Sequence, residues 1–381
     1  MDFSLTLEQK KILADLDEFL DNCGFDDAYF AEKWNNNLLP SEFDKAFLDA
    51  GFGLLGIPAE YGGKPCDTMT MVLVAEKLAS RGFPTTCIGN ALQIDDMLTF
   101  GNEEQKKIVF DHLMKTGQSC FSLGLTEPDA GSESANLKTT VTHKDGKVIF
   151  NGHKRFISSG LEAPYILLMC AEIDLPERPA SMYFVPNNSP GITIKPMKKI
   201  GTNIQGSLCE IFIENVELPE SSLVGEIGKG FIQEMKNFEM ERLTLAANCL
   251  GNATCAFNDA AKFANERIQF GKPIGQFQLI QEKITDCYVK LMNMRHMCYY
   301  TAWVKDSGKS IRLEAGLAKY YCANAGFQVV DDCVQIMGGI GYTELSRVSR
   351  LWRDLRMYRI GGGTDQIMIH TTARPILKMY K

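Results

Sequence analysis

The sequence predicts an α+β protein with a helical N-terminal domain (1–118), a central antiparallel β domain (119–228) and a C-terminal four-helix-bundle domain (229–381). Three observations predict this order. Apolar residues recur at helical spacing near the N-terminus, short β-rich runs separated by turn residues fill the middle, and long helical patterns return near the end. Strands and helices do not alternate, which argues against a Rossmann fold.

The bulk composition excludes several classes of function. The chain has 381 residues, 45% of them hydrophobic, and a net charge of −7. We expect no nucleic-acid partner, because no block of Lys and Arg stands out. We expect no membrane insertion, because the longest apolar run is too short to span a bilayer. The 12 cysteines are dispersed without a CxxC pair, so we expect no metal site, reduced thiols and a cytoplasmic location.

The N-terminal region contains four predicted helices. An amphipathic stripe defines the first, with apolar residues at Ile12, Leu13, Leu16, Phe19 and Leu20. The second follows Pro40, with Ser41 as its N-cap, and ends near residues 51–53. Residues 69–81 and 103–116 complete the set, with Asn102 as N-cap of the last.

The central region reads as a series of strands. Residues 139–152 alternate Thr and Val around an Asp145–Gly146 turn, which predicts a hairpin. Further strands are predicted at 165–173, 181–186, 191–196 and 208–218. The glycine-rich segment 338–343 follows a helical pattern and not a strand, so it fails the context that a dinucleotide loop requires.

Residues 233–245 are predicted to be helical and carry two carboxylates with different surroundings. Lys236 and Arg242 lie three residues on either side of Glu239, so ion pairing on the helix surface accounts for that carboxylate. Glu241 has no cation three or four residues away. It is therefore either an exposed helix residue, the commoner case, or a carboxylate beside apolar groups with a raised pKa, as a general acid or base needs.

Five segments carry a resemblance to a known family. They are LTEPDAGSESANLKTT (125–140), FISSG (156–160), ERIQFGKPIGQFQLIQEK (266–283), QIMGGIGYT (335–343) and RLWRDLRMYRIGGGTDQIMI (350–369). Together they resemble the acyl-CoA dehydrogenase family over essentially the whole chain. The resemblance implies the three-domain fold predicted above, one FAD per subunit, a homotetramer (or dimer), an acyl-CoA or enoyl-CoA substrate, and electron exchange with an electron-transferring flavoprotein.

The resemblance also implies which residues bind FAD. Leu125, Thr126 and Ser132 would lie along the flavin ring and ribityl chain, with Ser132 also near CoA, and Phe156 and Ser158 would cover the ring. A second set matches segments that reach the FAD of a neighbouring subunit or its adenosine diphosphate. These residues are Arg267, Gln269, Phe270, Phe277, Gln278, Gln335, Gly338, Gly339, Thr364 and Gln366.

The catalytic base raises a specific question. Many family members carry a catalytic Glu before Gly-Thr near the C-terminus, and Gly362 occupies that position here. In the isovaleryl- and long-chain branches the base stands on a helix immediately before an Arg, and Glu241 followed by Arg242 matches that pattern. The resemblance thus implies that Glu241 moves the α-proton, that the Gly362 N–H holds the thioester oxygen, and that Arg242 helps to place the CoA portion.

The finer resemblance is to the crotonobetainyl-CoA reductase branch of carnitine metabolism. It implies reduction of an enoyl-CoA with electrons from electron-transferring flavoprotein. Two alternatives remain open. One is a short- or branched-chain acyl-CoA dehydrogenase working oxidatively. The other is a non-catalytic subunit that binds FAD or acyl-CoA, which the glycine at position 362 motivates.

Overall fold

The computed structural model of the chain describes residues 4–86, 95–134, 136–201 and 206–381, so Ala135 of the 125–140 segment lies outside them. The N-terminal helices are α1 (Leu7–Asn22), α2 (Asp27–Asn35), α3 (Ser41–Asp49), α4 (Thr68–Ser80) and α5 (Glu103–Thr116), and residues 95–100 are also helical. The sheet strands are β1 (Phe121–Gly124), β2 (Thr140–Lys144), β3 (Lys147–Ser158), β4 (Tyr165–Glu172), β5 (Ala180–Pro186), β6 (Ile192–Pro196), β7 (Leu208–Pro219) and β8 (Leu223–Val224). The C-terminal part contains α6 (Gly230–Glu266), the hairpin β9 (Ile268–Gln269) and β10 (Lys272–Pro273), α7 (Gln278–Asp306), α8 (Arg312–Met337), α9 (Arg347–Tyr358) and α10 (Asp365–Lys378). The predicted order of helices, strands and helices is confirmed.

Helix starts follow the local sequence with one correction. Asn102 caps α5 as predicted, in a capping box that it forms with Gln105. Ser41 was predicted to be an N-cap, but it is the first helical residue of α3, and Pro40 occupies the cap without a side-chain hydrogen bond. Helix α2, which the periodicity did not predict, starts at the cap of Asp26.

The sheet order is β6-β7-β3-β2-β4-β5-β8. The predicted hairpin is present as β2 and β3, which pair around Asp145 and Gly146. Most neighbours are antiparallel, as predicted. Strand β4 is the exception, because it pairs in parallel with β1 along 121–124 and with the start of β2. The sheet is therefore antiparallel with a small parallel part beside β4.

Helix α6 lies at the centre of the helical part of the molecule. It packs against α4, α7, α8 and α9, and one hydrophobic core joins the N-terminal helices to the C-terminal bundle. The approach of α4 to α6 is close at Gly251, where a Cβ would lie 2.4 Å from the Cβ of Ala79. Helix α9 is tied to α2 by Arg350, which pairs with Asp27 at 3.2 Å and stacks on Trp34. Arg350 of the Arg-rich segment 350–356 therefore has a structural role between helices.

Two further findings concern the described residues. The eleven cysteines among them are free thiols. None of the described helices combines the length and the apolar character needed to cross a membrane.

Candidate active site

The candidate site is built on one face of α6. Glu234, Asn237 and Glu241 are spaced three and four residues apart, so they lie along one side of the helix. Helix α6 has 37 residues and no proline, and its packing against four other helices fixes its position. Side chains on this face are therefore held by a rigid element.

Glu241 lies beside the glycine loop at 361–363, as the matching of family positions implied. A Cβ built on Gly362 would lie 3.7 Å from Oε1 of Glu241. A glutamate at position 362 would thus start next to the carboxylate that α6 already supplies. Two positions 121 residues apart in sequence therefore present their side chains to the same space.

The glycine loop has a backbone that favours glycine and is fixed by two cations. Gly362 and Gly363 have φ values of +64° and +98°, which L-residues rarely adopt. Nε of Arg242 lies 3.5 Å from the Gly362 carbonyl oxygen, and the buried Lys319 ammonium donates to the Gly363 carbonyl. The N–H of Gly362 makes no hydrogen bond to any of the described residues. It is thus available to an oxygen of a bound molecule.

Glu241 is more easily protonated in this site than a glutamate is in water. Burial raises the pKa of Glu241, and the charges of Arg242 and Lys319 oppose that rise. Burial also lowers the pKa of Lys319 to about 8. A carboxyl group with a raised pKa is suited to both donating and accepting a proton near neutral pH.

Arg242 and Glu239 do not occupy the surroundings that the sequence suggested. The Arg242 side chain is buried, stacks on Phe238 and faces the glycine loop. Its observed contact is therefore with the loop, and contact with a CoA moiety remains a prediction. Glu239 accepts hydrogen bonds from Ser310 Oγ and the Ile311 N–H at the start of α8. The surface ion pair predicted for Glu239 is therefore wrong, because a tertiary partner replaces its helical neighbours.

A second group of carboxylates lies beside Glu241. Glu234 is two turns earlier on α6, and Asp96 belongs to the helical residues 95–100; both are buried. Burial, together with the negative charges of Asp95 and Glu241, raises the pKa of Asp96 to about 8. The pKa of Glu234 is also raised, first by burial and then by Asp96 and Glu241. This group was not predicted from the sequence.

Five of the residues predicted to bind FAD lie at or near one end of the sheet. The Arg155 N–H donates to the Thr126 carbonyl at 2.8 Å, which joins the segment after β1 to the segment of β3 that contains Phe156 and Ser158. Beneath them Lys154 Nζ donates to the Leu125 carbonyl at 3.1 Å. Leu125, Thr126, Phe156 and Ser158 are thus brought together, and Ser132 follows in the exposed loop after β1.

A buried ion pair supports this edge. Lys154 Nζ lies 2.7 Å from Oε1 of Glu127, and both side chains are almost fully buried. Glu127 also accepts the N–H groups of Lys138 and Thr139. Burial raises the pKa of Glu127, but Lys154 and these hydrogen bonds outweigh burial and hold the pKa below its usual value. The buried Lys154–Glu127 pair therefore holds the backbone of the loop at Leu125 in place.

The exposed groups at this edge fit a flavin. The Phe156 ring is 55% exposed, and accessible Thr126 and Ser158 carry hydroxyl groups in the same region. An apolar ring flanked by hydrogen-bonding groups suits the flat apolar face and polar rim of the isoalloxazine.

The second set of predicted FAD residues lies elsewhere on the surface. Phe270 sits in the β9–β10 turn with φ +51° and is 93% exposed, and its ring meets Phe277 at 6.1 Å. Gln335, Gly338 and Gly339 lie at the end of α8, where a Cβ on either glycine would meet open space. Arg267, Gln269, Gln278 and Gln366 are exposed, and Thr364 caps α10. The structure gives no contact between these groups and the β3 edge, so their shared role stays a prediction.

Sequence reasoning missed Lys319, Asp96, Glu234 and the Lys154–Glu127 pair. Two of them left a trace in the sequence. Lys319 is the cation within an otherwise small and apolar stripe of α8 (Ala315, Ala318, Cys322, Ala323), and Glu234 precedes Glu241 by seven residues, which is two helical turns. Asp96 and Lys154 needed the fold, since their partners come from distant segments.

Comparison with known proteins identifies the family of the chain. Three family models match the chain: the N-terminal domain of acyl-CoA dehydrogenase over residues 6–116, the middle domain over 122–216 and the C-terminal domain over 228–377. The chain belongs to the acyl-CoA dehydrogenase family. It is 46% identical to the probable acyl-CoA dehydrogenase YdiO of Escherichia coli strain K12, over 100% of both chains.

Solved structures of this family share the fold. Butyryl-CoA dehydrogenase from Megasphaera elsdenii matches with a TM-score of 0.90 and 28% identity, covering 99% of this chain and 100% of that one. A chain from a structure of the electron transferring flavoprotein of Acidaminococcus fermentans matches with a TM-score of 0.88 and 30% identity, covering 99% and 100%. As a member of the acyl-CoA dehydrogenase family, the chain is a FAD-dependent oxidoreductase that acts on CH–CH groups.

Proposed function

We propose that this acyl-CoA dehydrogenase uses Glu241 as its acid–base residue and works as an enoyl-CoA reductase. The observation that carries the proposal is the position of the Glu241 carboxylate, 3.7 Å from where a Cβ of residue 362 would lie. Gly362 has no proton-transferring group, and Glu241 supplies one in the same space. The raised pKa of Glu241, caused first by burial, is consistent with this task.

The proton steps follow from the position of Glu241. In the reductive direction protonated Glu241 donates its proton to Cα of the enoyl thioester, and in the oxidative direction its carboxylate removes that proton. FAD, when bound, supplies or accepts the hydride at Cβ, so the two electrons and the proton balance across the Cα–Cβ bond. Arg242 and Lys319 oppose the effect of burial on Glu241 and keep its carboxylate form accessible.

The thioester oxygen gains negative charge when Cα loses its proton. The unbonded N–H of Gly362 is the donor that we assign to this oxygen. Arg242 and Lys319 support this assignment because they bind the carbonyl oxygens of the same loop. The Gly361–Gly363 segment also leaves room beside the acyl group, since it carries no side chains.

FAD would be held by residues from several parts of the fold. Leu125, Thr126, Ser132, Phe156 and Ser158 are the candidates at and near the sheet edge, which the exposed Phe156 ring supports. The distant residues from Arg267 to Gln278, and those at the end of α8 and the start of α10, would act on the FAD of another subunit. Such contacts require at least a second copy of the chain, and we propose a homotetramer; the 93% exposure of Phe270 is consistent with a surface that a second copy covers.

The finer substrate and partner assignments rest on the resemblance of the sequence. We assign the reduction of crotonobetainyl-CoA, as in carnitine metabolism, with electrons from electron-transferring flavoprotein in the cytoplasm. The similarity to a chain from an electron transferring flavoprotein structure supports such a partner. The direction of the reaction and the oligomeric state are parts of the same proposal.

An anaerobic flavin titration tests the role of Glu241. The FAD-loaded protein is mixed with butyryl-, isovaleryl- and γ-butyrobetainyl-CoA, and bleaching of the flavin band is followed. We expect bleaching by at least one of them, and a rate about 10²–10⁴-fold lower in Glu241→Gln. Glu239→Gln is the matched control, because it removes a carboxylate from the same helix at a position that caps α8.

The outcomes separate the alternatives. A Glu241→Gln variant that bleaches as fast as the wild type would show that the base lies elsewhere. If no acyl-CoA bleaches the wild-type flavin and no enoyl-CoA reoxidises the reduced flavin, the chain is a non-catalytic binding subunit. Fast turnover of plain aliphatic esters, without turnover of betainyl esters, would assign the oxidative short- or branched-chain activity.

A further inference from the structure

The carboxylates beside Glu241 have no role in the proton steps described above. Glu234 is 3% exposed and lies on the same face of α6 as Glu241, two turns away. Asp96 is 6% exposed and approaches from the helical residues 95–100. The cation–π contact between Lys236 and Phe100 shows that these residues pack against α6. The pair therefore extends the site along α6, away from the base.

Both carboxylates have unsatisfied atoms. Oδ1 of Asp96 and Oε2 of Glu234 are buried and have no hydrogen-bond partner among the described residues. Nδ2 of Asn237, which lies between Glu234 and Glu241 on the helix face, is also buried without a partner. One donor and two acceptors, two on α6 and one on the residues packed against it, thus have no partner among the described residues, and a polar group bound between them would supply one. Buried polar atoms without partners are rare and costly in folded proteins.

The charges that shift the pKa values of the pair are negative. The groups that act on Glu234 are Asp96 and Glu241, and those that act on Asp96 are Asp95 and Glu241. The described hydrogen bonds include none between Asp96 and Glu234, so a proton shared within the pair does not account for the arrangement. A positive charge placed between them would offset both the desolvation of the carboxylates and their mutual repulsion.

We propose that Asp96 and Glu234 form the far end of the acyl pocket and select acyl groups that carry a fixed positive charge, such as a quaternary ammonium. The inference rests on the proposed function, because it takes Glu241 to mark the reacting carbons. The inference adds the residues that pair with the distal end of the acyl group, and it applies to cationic acyl groups in general. Neutral esters of the same shape bind less well because they leave the two carboxylates unpaired.

A pair of ligands that differ only in charge tests this inference. The cationic ligand is crotonobetainyl-CoA, and the neutral ligand is its carbon isostere, in which a quaternary carbon replaces the nitrogen. Binding to the oxidised, FAD-loaded protein is measured by calorimetry with no reductant present, so turnover does not contribute. We expect the cationic ester to bind at least about tenfold more tightly, the effect of one well-placed charge interaction.

Isosteric variants assign the effect to the two carboxylates. Asp96→Asn and Glu234→Gln should each reduce the preference several-fold, and the double variant should abolish it. Glu239→Gln should keep the wild-type preference. Equal or tighter binding of the neutral ester by the wild type would overturn the inference, and so would a preference that survives in the double variant. The wild-type comparison decides the matter even if a variant fails to fold.

The two proposals fail in distinguishable ways. If the cationic preference is present but Glu241→Gln leaves turnover unchanged, the assignment of the base is wrong, while the role of Asp96 and Glu234 in selecting cationic acyl groups is supported. If the flavin is bleached or reoxidised by neutral esters through Glu241, and the cationic preference is absent, the pair is structural and the proposed chemistry stands.

Discussion

Gly362→Ala is the substitution whose effect the structure defines most closely. An alanine at φ +64° costs about 1–2 kcal/mol relative to a relaxed backbone. Its Cβ would also lie 2.4 Å from Cδ1 of Leu245, far inside van der Waals contact, and overpacking of this kind costs about 1–3 kcal/mol. The same Cβ would lie 3.7 Å from Oε1 of Glu241, which is an ordinary contact. The loop and Leu245 must therefore move, while the carboxylate can stay.

We expect this displacement to act on the N–H of residue 362 more than on proton transfer. Loss of one donor to a developing oxyanion lowers kcat by about 10²–10³, so a partial displacement should slow flavin reduction at least about tenfold. The pH dependence of the rate should stay that of the wild type, because Glu241 remains in place. Anaerobic stopped-flow measurement of flavin bleaching, with thermal unfolding in parallel, gives both quantities.

A second substitution separates the two sources of strain. Leu245→Ala removes the atom that the new Cβ would meet but leaves the backbone at the same positive φ. The double variant Leu245→Ala/Gly362→Ala should therefore recover part of the rate that Gly362→Ala loses, with Leu245→Ala alone as the reference. The reasoning is refuted if Gly362→Ala bleaches at the wild-type rate, or if the double variant is no faster than Gly362→Ala.

Three other predictions concern proton binding and the flavin edge. Because burial raises the pKa of Glu241, the rate of acyl-CoA oxidation should rise with pH through that pKa and the rate of enoyl-CoA reduction should fall; two pH–rate profiles check this. Burial raises the pKa of Asp44 to about 7, so the folded state holds a proton that the unfolded state releases near pH 4, and stability should fall as the pH rises between these values. Asp44→Asn should thus stabilise the protein at pH 8 by up to about 4 kcal/mol with little effect at pH 4, as measured by denaturant unfolding at each pH. Lys154→Met should leave Glu127 buried without its cation and lower the free energy of unfolding by about 3–5 kcal/mol, seen as a lower Tm and as loss of FAD on gel filtration. The double variant Lys154→Met/Glu127→Gln should recover part of the Tm and part of the bound FAD. Equal Tm and FAD content in the two variants would contradict the pairing.

Elements with local signatures could be predicted from the sequence. The capping residue Asn102 and the Asp145–Gly146 turn each place their element through contacts only a few residues away. Ser41 shows the limit of this reasoning, because Pro40 occupies the cap position and the helix begins one residue earlier than the cap rule implies. Helix α2 was missed because its nine residues bury only Phe30 and Trp34, too few to form a clear periodic stripe.

The site depended more on contacts between distant segments. Glu239 was assigned to its helical neighbours, but its partner is the Ile311 N–H, 72 residues away. The proximity of Glu241 and Gly362 could be inferred only through the resemblance to a family, since no local feature of either segment indicates that the two are in contact. Asp96 had no local signal, and the seven-residue spacing of Glu234 and Glu241 was not enough to mark Glu234, because a carboxylate on a helix is usually solvated and only the packing buries these two.

Because Glu241 lies on α6, proton transfer and binding of the thioester oxygen are assigned to two different elements, a helix and a loop. A helix of 37 residues held by four neighbouring helices fixes the proton-transferring group independently of residues 361–363. The loop then acts through its backbone, with positive φ at Gly362 and Gly363 and with the carbonyl oxygens that Arg242 and Lys319 hold. The loop can thus consist of glycines alone, which leaves room beside the acyl group while the acid–base chemistry stays on the helix.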